Sequence, residues 1–156
     1  MFKSILGRLF WTYAIILMLV FTSVAVTVGI FVNHFAISTH MNNVISVSQN
    51  LEYWTGSLQI EDTDYRARAA YKQLLRSWGS FLNSDIIVTN SNGEVLESTT
   101  SSATVPDELV HIVTNGNIVK KYSTLNGSYK NKMMVIGVPI KYQGGIVGAS
   151  FYVTGI

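Results

Sequence analysis

The chain of 156 residues has no cysteine, only two prolines and few charged residues, which make up 13% of the sequence. Without cysteine, no disulfide can hold a folded domain together. Charge is entirely absent from Leu9 to Val32, a segment that also lacks proline and contains a single glycine. At about 1.5 Å per residue, a helix of this length reaches about 36 Å. It is therefore long enough to cross a hydrocarbon core about 30 Å thick.

Positive charge is concentrated before this segment. The net charge of +2 arises from Lys3 and Arg8, because the remaining nine Lys and Arg residues balance the nine Asp and Glu residues. Basic residues on the short flank of a first membrane helix favour a cytoplasmic N-terminus. The apolar run is longer than the core of a signal peptide, about 7 to 15 residues, so we expect an uncleaved anchor rather than a cleaved signal. The neutral remainder argues against nucleic-acid binding.

These features divide the chain into four parts. We expect a cytoplasmic N-terminus (residues 1–8), a transmembrane helix (9–32), one extracytoplasmic domain (33–153) and a short C-terminal stretch (154–156). About 120 residues suit a single domain. The predicted location is the cell membrane, with the lipid bilayer as the first partner.

Two helices are predicted at the start of the outer domain. The first continues from the membrane span, and its apolar residues recur in steps of four, three, seven and seven: Ile37, Met41, Val44, Leu51 and Leu58. This spacing fits either packing on the chain's own domain or the seam of a homodimer, and the sequence leaves both open. Gly56 and the polar residues 59–64 are expected to end this helix. A second helix from about Asp64 to Leu82 has an apolar stripe on one side, namely Ala67, Ala70, Tyr71, Leu74, Trp78 and Phe81.

After Asp85 the pattern changes to strands. Residues 86–89 and 95–96 flank an Asn-Ser-Asn-Gly turn, which predicts a hairpin with Gly93 at positive φ. A short helix is expected to begin with Thr104 as its cap and to end at Gly116. Three more strands follow, at 118–125, 133–140 and 146–153. Pro139 favours an edge or bulge position, since proline lacks the N–H that a ladder needs. Five antiparallel strands with helices on one face make an α+β domain.

Catalytic and metal-binding patterns are missing from the sequence. His34 and His40 are six residues apart, a spacing that does not place them on one helical face for a shared metal. The third histidine, His111, has no partner pattern. No Gly-x-Ser-x-Gly elbow, P-loop or GxGxxG motif occurs. We therefore predict no catalytic residues, no metal site and no cofactor.

Three stretches together carry a resemblance to a known family. They are Asp85–Leu96, Val135–Ile140 and Gly144–Tyr152, and the last two read as a Gly-x-Pro-Ile strand that turns through glycines into an Ile-x-Gly-Ala strand. With the preceding membrane helix, they resemble the extracytoplasmic PAS-like domains, also called PDC or Cache domains, of bacterial receptors. The combination is most similar to the sensor region of a Firmicute-type sensor histidine kinase.

The resemblance implies a signal-sensing input module that acts as a homodimer. In that family the last strand leads into a second membrane helix, a HAMP linker and a kinase core, and the chain stops at Thr154–Ile156, where that helix is expected to begin. Chemoreceptors and diguanylate cyclases with a similar outer domain are the alternative, as is a membrane-anchored binding protein without output domain. Family pockets imply a small-molecule site between the sheet and the second helix. The aromatic residues with polar tips nominated for it are Tyr71, Trp78, Tyr122 and Tyr129.

Overall fold

A computed structural model gives three helices and five strands. It describes residues 5–60, 65–101 and 103–155; within these, the side chains of residues 6, 33, 34, 37 and 57–60 lie outside the description. The elements are α1 (Ile5–Ile60), α2 (Tyr65–Leu82), β1 (Asp85–Asn90), β2 (Val95–Ser98), α3 (Asp107–Thr114), β3 (Val119–Ser123), β4 (Met133–Tyr142) and β5 (Gly145–Thr154). The chain divides into two compact units, Met1–Thr39 and His40–Ile156, and α1 has residues in both.

The first unit contains the membrane-length part of α1. Within the segment Gly7–Val32, the most apolar window of 18 residues has a mean hydropathy of 2.7, and none of that window is buried by protein. Within it, the hydroxyls of Thr12, Thr22 and Thr27 each donate to the carbonyl four residues earlier, at 2.8 to 2.9 Å. These bonds satisfy the side-chain donors inside the helix, which an apolar surrounding requires. The apolar segment predicted from Leu9 to Val32 is therefore helical and exposed.

The second unit is a five-stranded antiparallel sheet with the order β2-β1-β5-β4-β3. Alternate side chains of the sheet enter two separate cores. One core lies against α1 and α2 and contains Val44, Leu51, Leu75 and Tyr152. The other lies against α3 and contains its buried residues Leu109, Val110 and Val113 together with Ile87, Val135 and Phe151. The α+β fold with a PAS-like domain is thus confirmed, although helices cover both faces of the sheet rather than one.

The turns follow the predicted chemistry. Gly93 and Gly116 have φ of 88° and 89°, as expected for the hairpin and for the end of α3. In the β4–β5 connection Gln143 and Gly144 both have positive φ, 50° and 83°, which is the backbone that a tight hairpin turn needs. Pro139 pairs with Ala149 of β5, but β3 pairs with β4 only as far as Gly137. The proline therefore has a strand neighbour on one side, in agreement with an edge-like position.

Three details of the helices differ from the sequence predictions. Gly56 does not end α1, which continues to Ile60. A Cβ at position 56 would collide with the ring of Tyr142, so this glycine allows close helix–sheet packing instead of breaking the helix. The buried side of α2 consists of Tyr71, Leu75, Gly79 and Leu82, whereas Phe81 is 73% exposed. Finally, α3 begins at Asp107 after Pro106, which makes no side-chain cap, so Thr104 is not its cap.

Candidate functional site

The described part of the second unit contains an open cleft of about 390 Å³ at one end of the sheet. It lies where α2 ends, β1 begins and β5 ends. Its volume is within the range of about 300 to 1,000 Å³ that is typical of small-molecule sites. The polar lining residues are Arg76, Ser80, Asn83, Ser84, Asp85 and Thr99, and the remainder are Gly79, Met133, Val153 and Gly155.

The turn between α2 and β1 shapes this cleft. Asn83 has a φ of 48°, the left-handed backbone that commonly ends a helix. The Ser84 N–H then donates to the Gly79 carbonyl at 2.9 Å, which closes the last turn of α2. The Thr154 hydroxyl donates to the Asn83 carbonyl at 3.0 Å. The end of the last strand is therefore tied directly to the end of α2.

Several polar groups of the cleft are already satisfied within the protein. The Ser84 hydroxyl donates to the Leu82 carbonyl at 3.0 Å, and the Thr99 hydroxyl accepts the Ile86 N–H at 2.9 Å. Oδ2 of Asp85 accepts the Tyr129 hydroxyl at 2.7 Å. By contrast, the side chains of Arg76, Ser80 and Asn83 have no hydrogen bond or ion pair with another described residue. The α2 side of the cleft thus offers unused donors.

The bond between Tyr129 and Asp85 joins the loop after β3 to the start of β1. Burial raises the pKa of Tyr129 well above its usual value, and the hydrogen bond to Asp85 and its charge raise it further. The phenol therefore stays protonated and donates to the carboxylate throughout the physiological pH range. The hydrogen bond fixes the position of one oxygen of Asp85.

A second polar group lies inside the core between the helices and the sheet. The Thr55 and Tyr71 hydroxyls are 2.6 Å apart and both are buried. Burial raises the pKa of Tyr71 to about 12, although its bond to Thr55 opposes the shift. The buried Tyr152 hydroxyl has no hydrogen-bond partner among the described residues. The Ser150 hydroxyl donates to the Val138 carbonyl at 3.4 Å. No nucleophile and base are paired in either polar group.

The structure does not bring the four nominated aromatic residues together. Tyr71 and Trp78 pack in the core beneath α2, and α2 contacts the β1–β2 side of the sheet. Tyr122 is on the same face but on the opposite edge strand, β3, and is 49% exposed. Tyr129 packs on the other face, against the α3 core. A shared role for these four side chains in ligand binding stays a prediction.

The predicted dimer seam is placed as follows. Val44 and Leu51 are 0% exposed and belong to the chain's own core, while Met41 packs partly against that core. The side chains of Ile37 and Leu58 lie outside the described residues. Intramolecular packing, one of the two alternatives left open, therefore accounts for Val44 and Leu51. Association of two copies stays a prediction.

Sequence reasoning missed the cleft residues Arg76, Ser80, Asn83 and Asp85. A partial signal was present, because a step of four residues places Arg76 and Ser80 on one side of the last turns of α2. Only the return of β5 to this point adds the opposite wall. Within the described residues, no group of three or more His, Cys, Asp or Glu side chains is placed to hold a metal ion.

Comparison with solved structures finds sensor domains of bacterial receptors. The sensor domain of the V. cholerae histidine kinase DctB is 10% identical, with a TM-score of 0.46 over 75% of this chain and 52% of that chain. The ligand-binding domain of the Campylobacter jejuni chemoreceptor Tlp3, in complex with 4-methylisoleucine, is 15% identical, with a TM-score of 0.45 over 75% of this chain and 54% of that one. The same domain with L-valine is 14% identical, with a TM-score of 0.41 over 75% and 56%.

The chain thus spans about half the length of the solved domains that it resembles. No protein-family model and no curated protein matches the chain. Identities of 15% or less give no residue-by-residue correspondence between the cleft and these domains.

Proposed function

We propose that this chain is the extracytoplasmic signal-sensing input region of a membrane receptor. One observation carries the proposal. The helix α1 includes both the membrane-length apolar segment Gly7–Val32 and residues of the PAS-like domain core, among them Val44, Val47 and Leu51. The element that would cross the membrane is therefore also one of the elements that pack on the sheet.

Such a module works through two conformations of different affinity for its stimulus. A ligand shifts the equilibrium only by the difference between its binding free energies for the two states. Because Val44 and Leu51 are fully buried against the sheet, a rearrangement of the sheet side requires α1 to repack. Closely packed cores change between discrete arrangements and do not deform continuously. Repacking of α1 is thus a route by which binding reaches the membrane segment.

The output is proposed to be that of a Firmicute-type sensor histidine kinase acting as a homodimer. The sequence stretches Asp85–Leu96, Val135–Ile140 and Gly144–Tyr152 support it through their resemblance to such sensor regions. A chemoreceptor, a diguanylate cyclase or an anchored binding protein is the alternative. The reading frame downstream of codon 156 distinguishes them: a second apolar span followed by a kinase core supports the proposal, and a stop codon contradicts it.

The topology is tested by labelling single cysteines, for which the cysteine-free chain needs no prior substitution. Asn117→Cys places a thiol at an exposed position just before β3, and Ser4→Cys places one before the membrane segment. In intact cells, a membrane-impermeant maleimide is expected to label position 117 only, and position 4 only after permeabilisation. The reverse pattern would contradict an extracytoplasmic domain.

A further inference from the structure

We infer that the cleft between α2, β1 and β5 binds a small zwitterion, with its oxyanion at Arg76 and its ammonium group at Asp85. This inference rests on the proposed function, since it names the ligand class of the sensing module. Arg76 and Asp85 line the same cleft, yet they form no ion pair with each other or with another described residue.

The α2 side of the cleft has the chemistry of an oxyanion site. Arg76 and Ser80 from the last turns of α2 and Asn83 directly after it contribute a guanidinium, a hydroxyl and an amide to the lining. All three can donate hydrogen bonds, and none of the three side chains has a partner among the described residues. A guanidinium binds a carboxylate or a phosphate through two parallel N–H bonds, which are among the stronger hydrogen bonds in proteins.

The start of β1 has the chemistry of an ammonium site. The Tyr129 hydroxyl donates to Oδ2 of Asp85 at 2.7 Å and so fixes the orientation of the carboxylate. Its second oxygen, Oδ1, has no partner among the described residues and remains an acceptor. A ligand that is only anionic would be repelled by Asp85, and one that is only cationic would be repelled by Arg76. A ligand with one charge of each sign satisfies both sides.

The remaining lining and the position of the cleft limit the ligand further. Besides the polar groups, the lining includes the half-buried Met133, which suits a ligand with a short aliphatic link between its two charges. The carbonyl of Asn83 accepts the Thr154 hydroxyl. A ligand at this point therefore contacts the turn that ties α2 to the end of β5. Two sources share this chemistry, a free amino acid and the phosphoethanolamine headgroup of a lipid.

Binding is tested with the full chain in nanodiscs made of phosphatidylglycerol. The probes are glycine, β-alanine, γ-aminobutyrate and phosphoethanolamine, with acetate and ethanolamine as molecules that carry one charge only. Unfolding is followed by tryptophan fluorescence, to which the half-buried Trp78 contributes, and dissociation constants are measured by calorimetry. We expect at least one zwitterion to raise the unfolding temperature and to bind about tenfold or more tightly than either single-charge molecule.

Four variants assign the binding to the cleft. Arg76→Gln and Asp85→Asn should each weaken binding about tenfold or more, since each removes a charge-assisted bond. Asn at position 85 still accepts the Tyr129 hydroxyl, so the loop contact is retained. The matched controls are Arg68→Gln, an exposed cation of α2, and Asp107→Asn, an exposed acid at the start of α3. Neither residue lines the cleft, and we expect neither to change binding.

The remaining arms identify the source and separate the two proposals. If a lipid headgroup is the ligand, adding phosphatidylethanolamine to the nanodiscs stabilises the wild type but not Arg76→Gln or Asp85→Asn. If no zwitterion, free or in a lipid, stabilises the wild type more than both variants, the inference is wrong. It is also wrong if acetate binds as tightly as the zwitterions. A different compound that stabilises the wild type and Arg76→Gln equally would refute the cleft and leave the sensing function in place.

Discussion

Replacing Gly137 by alanine tests whether α3 packs as closely on the sheet as the structure shows. A Cβ at this position would lie 2.7 Å from Cγ2 of Val113, 2.8 Å from Cγ1 of Val119 and 2.8 Å from Cε1 of Phe151. These three atoms belong to α3, β3 and β5. Val113 and Phe151 are 0% exposed, and the branched valines have few alternative rotamers. The added methyl group therefore has no direction in which to be accommodated.

The expected loss of stability is the difference between two effects. Overpacking a core costs about 1 to 3 kcal/mol, whereas alanine gains about 0.4 to 1 kcal/mol because it restricts the unfolded chain. The net loss is about 1 to 2 kcal/mol. In a domain of this size, it corresponds to a decrease of about 4 to 8 °C in the unfolding temperature. Urea and thermal unfolding of the full chain in a mild detergent, followed by tryptophan fluorescence, measure both quantities.

A control and a rescue variant complete this test. Gly145 has a negative φ and its nearest atom to an added Cβ is 3.9 Å away, so Gly145→Ala should change stability by less than about 0.5 kcal/mol. Val113→Ala removes one of the three colliding atoms, and combining it with Gly137→Ala should cost less than the sum of the two single losses. If Gly137→Ala is as stable as Gly145→Ala, α3 does not lie against β4 as described.

Two further predictions concern the core beneath α1 and α2. Val44→Asp or Leu51→Asp should unfold the domain, at a cost of about 4 kcal/mol or more, because both positions are fully buried; Gln49→Asp, exposed on the same helix, is the control. Circular dichroism measures whether the variants are folded, and light scattering measures their oligomeric state. A folded monomeric variant would instead favour the dimer seam. Because the pKa of Tyr71 is raised to about 12, stability should be retained below pH 10, where the unfolded phenol begins to ionise, and should fall as the pH rises toward 12. Urea unfolding should show that the free energy of unfolding falls less with pH in Tyr71→Phe than in the wild type. Tyr65→Phe is the control, because Tyr65 is 84% exposed. Equal pH dependence in all three proteins would refute the role of Tyr71.

Much of the architecture was predictable because it depends on neighbours in the sequence. The charge-free run Leu9–Val32 predicted its own helix and exposure from composition alone. The β5 strand followed from a run of apolar and β-branched residues bounded by glycines. Turn positions such as Gly93 and Gly144 could be read directly, since only a residue without Cβ adopts positive φ at little cost.

The tertiary structure decided which surfaces these elements share. Helical spacing placed Phe81 on the predicted apolar stripe of α2 and left Leu75 out, whereas the position of the sheet buries Leu75 and leaves Phe81 exposed. For the same reason, spacing could not distinguish a dimer seam from a core at Leu51. In the cleft, the local α2–β1 turn joins Arg76 to Asp85, but Met133 and Val153 reach this point only because β5 pairs with both β1 and β4. Periodicity specifies one element at a time, whereas a site between elements depends on contacts that are distant in the sequence.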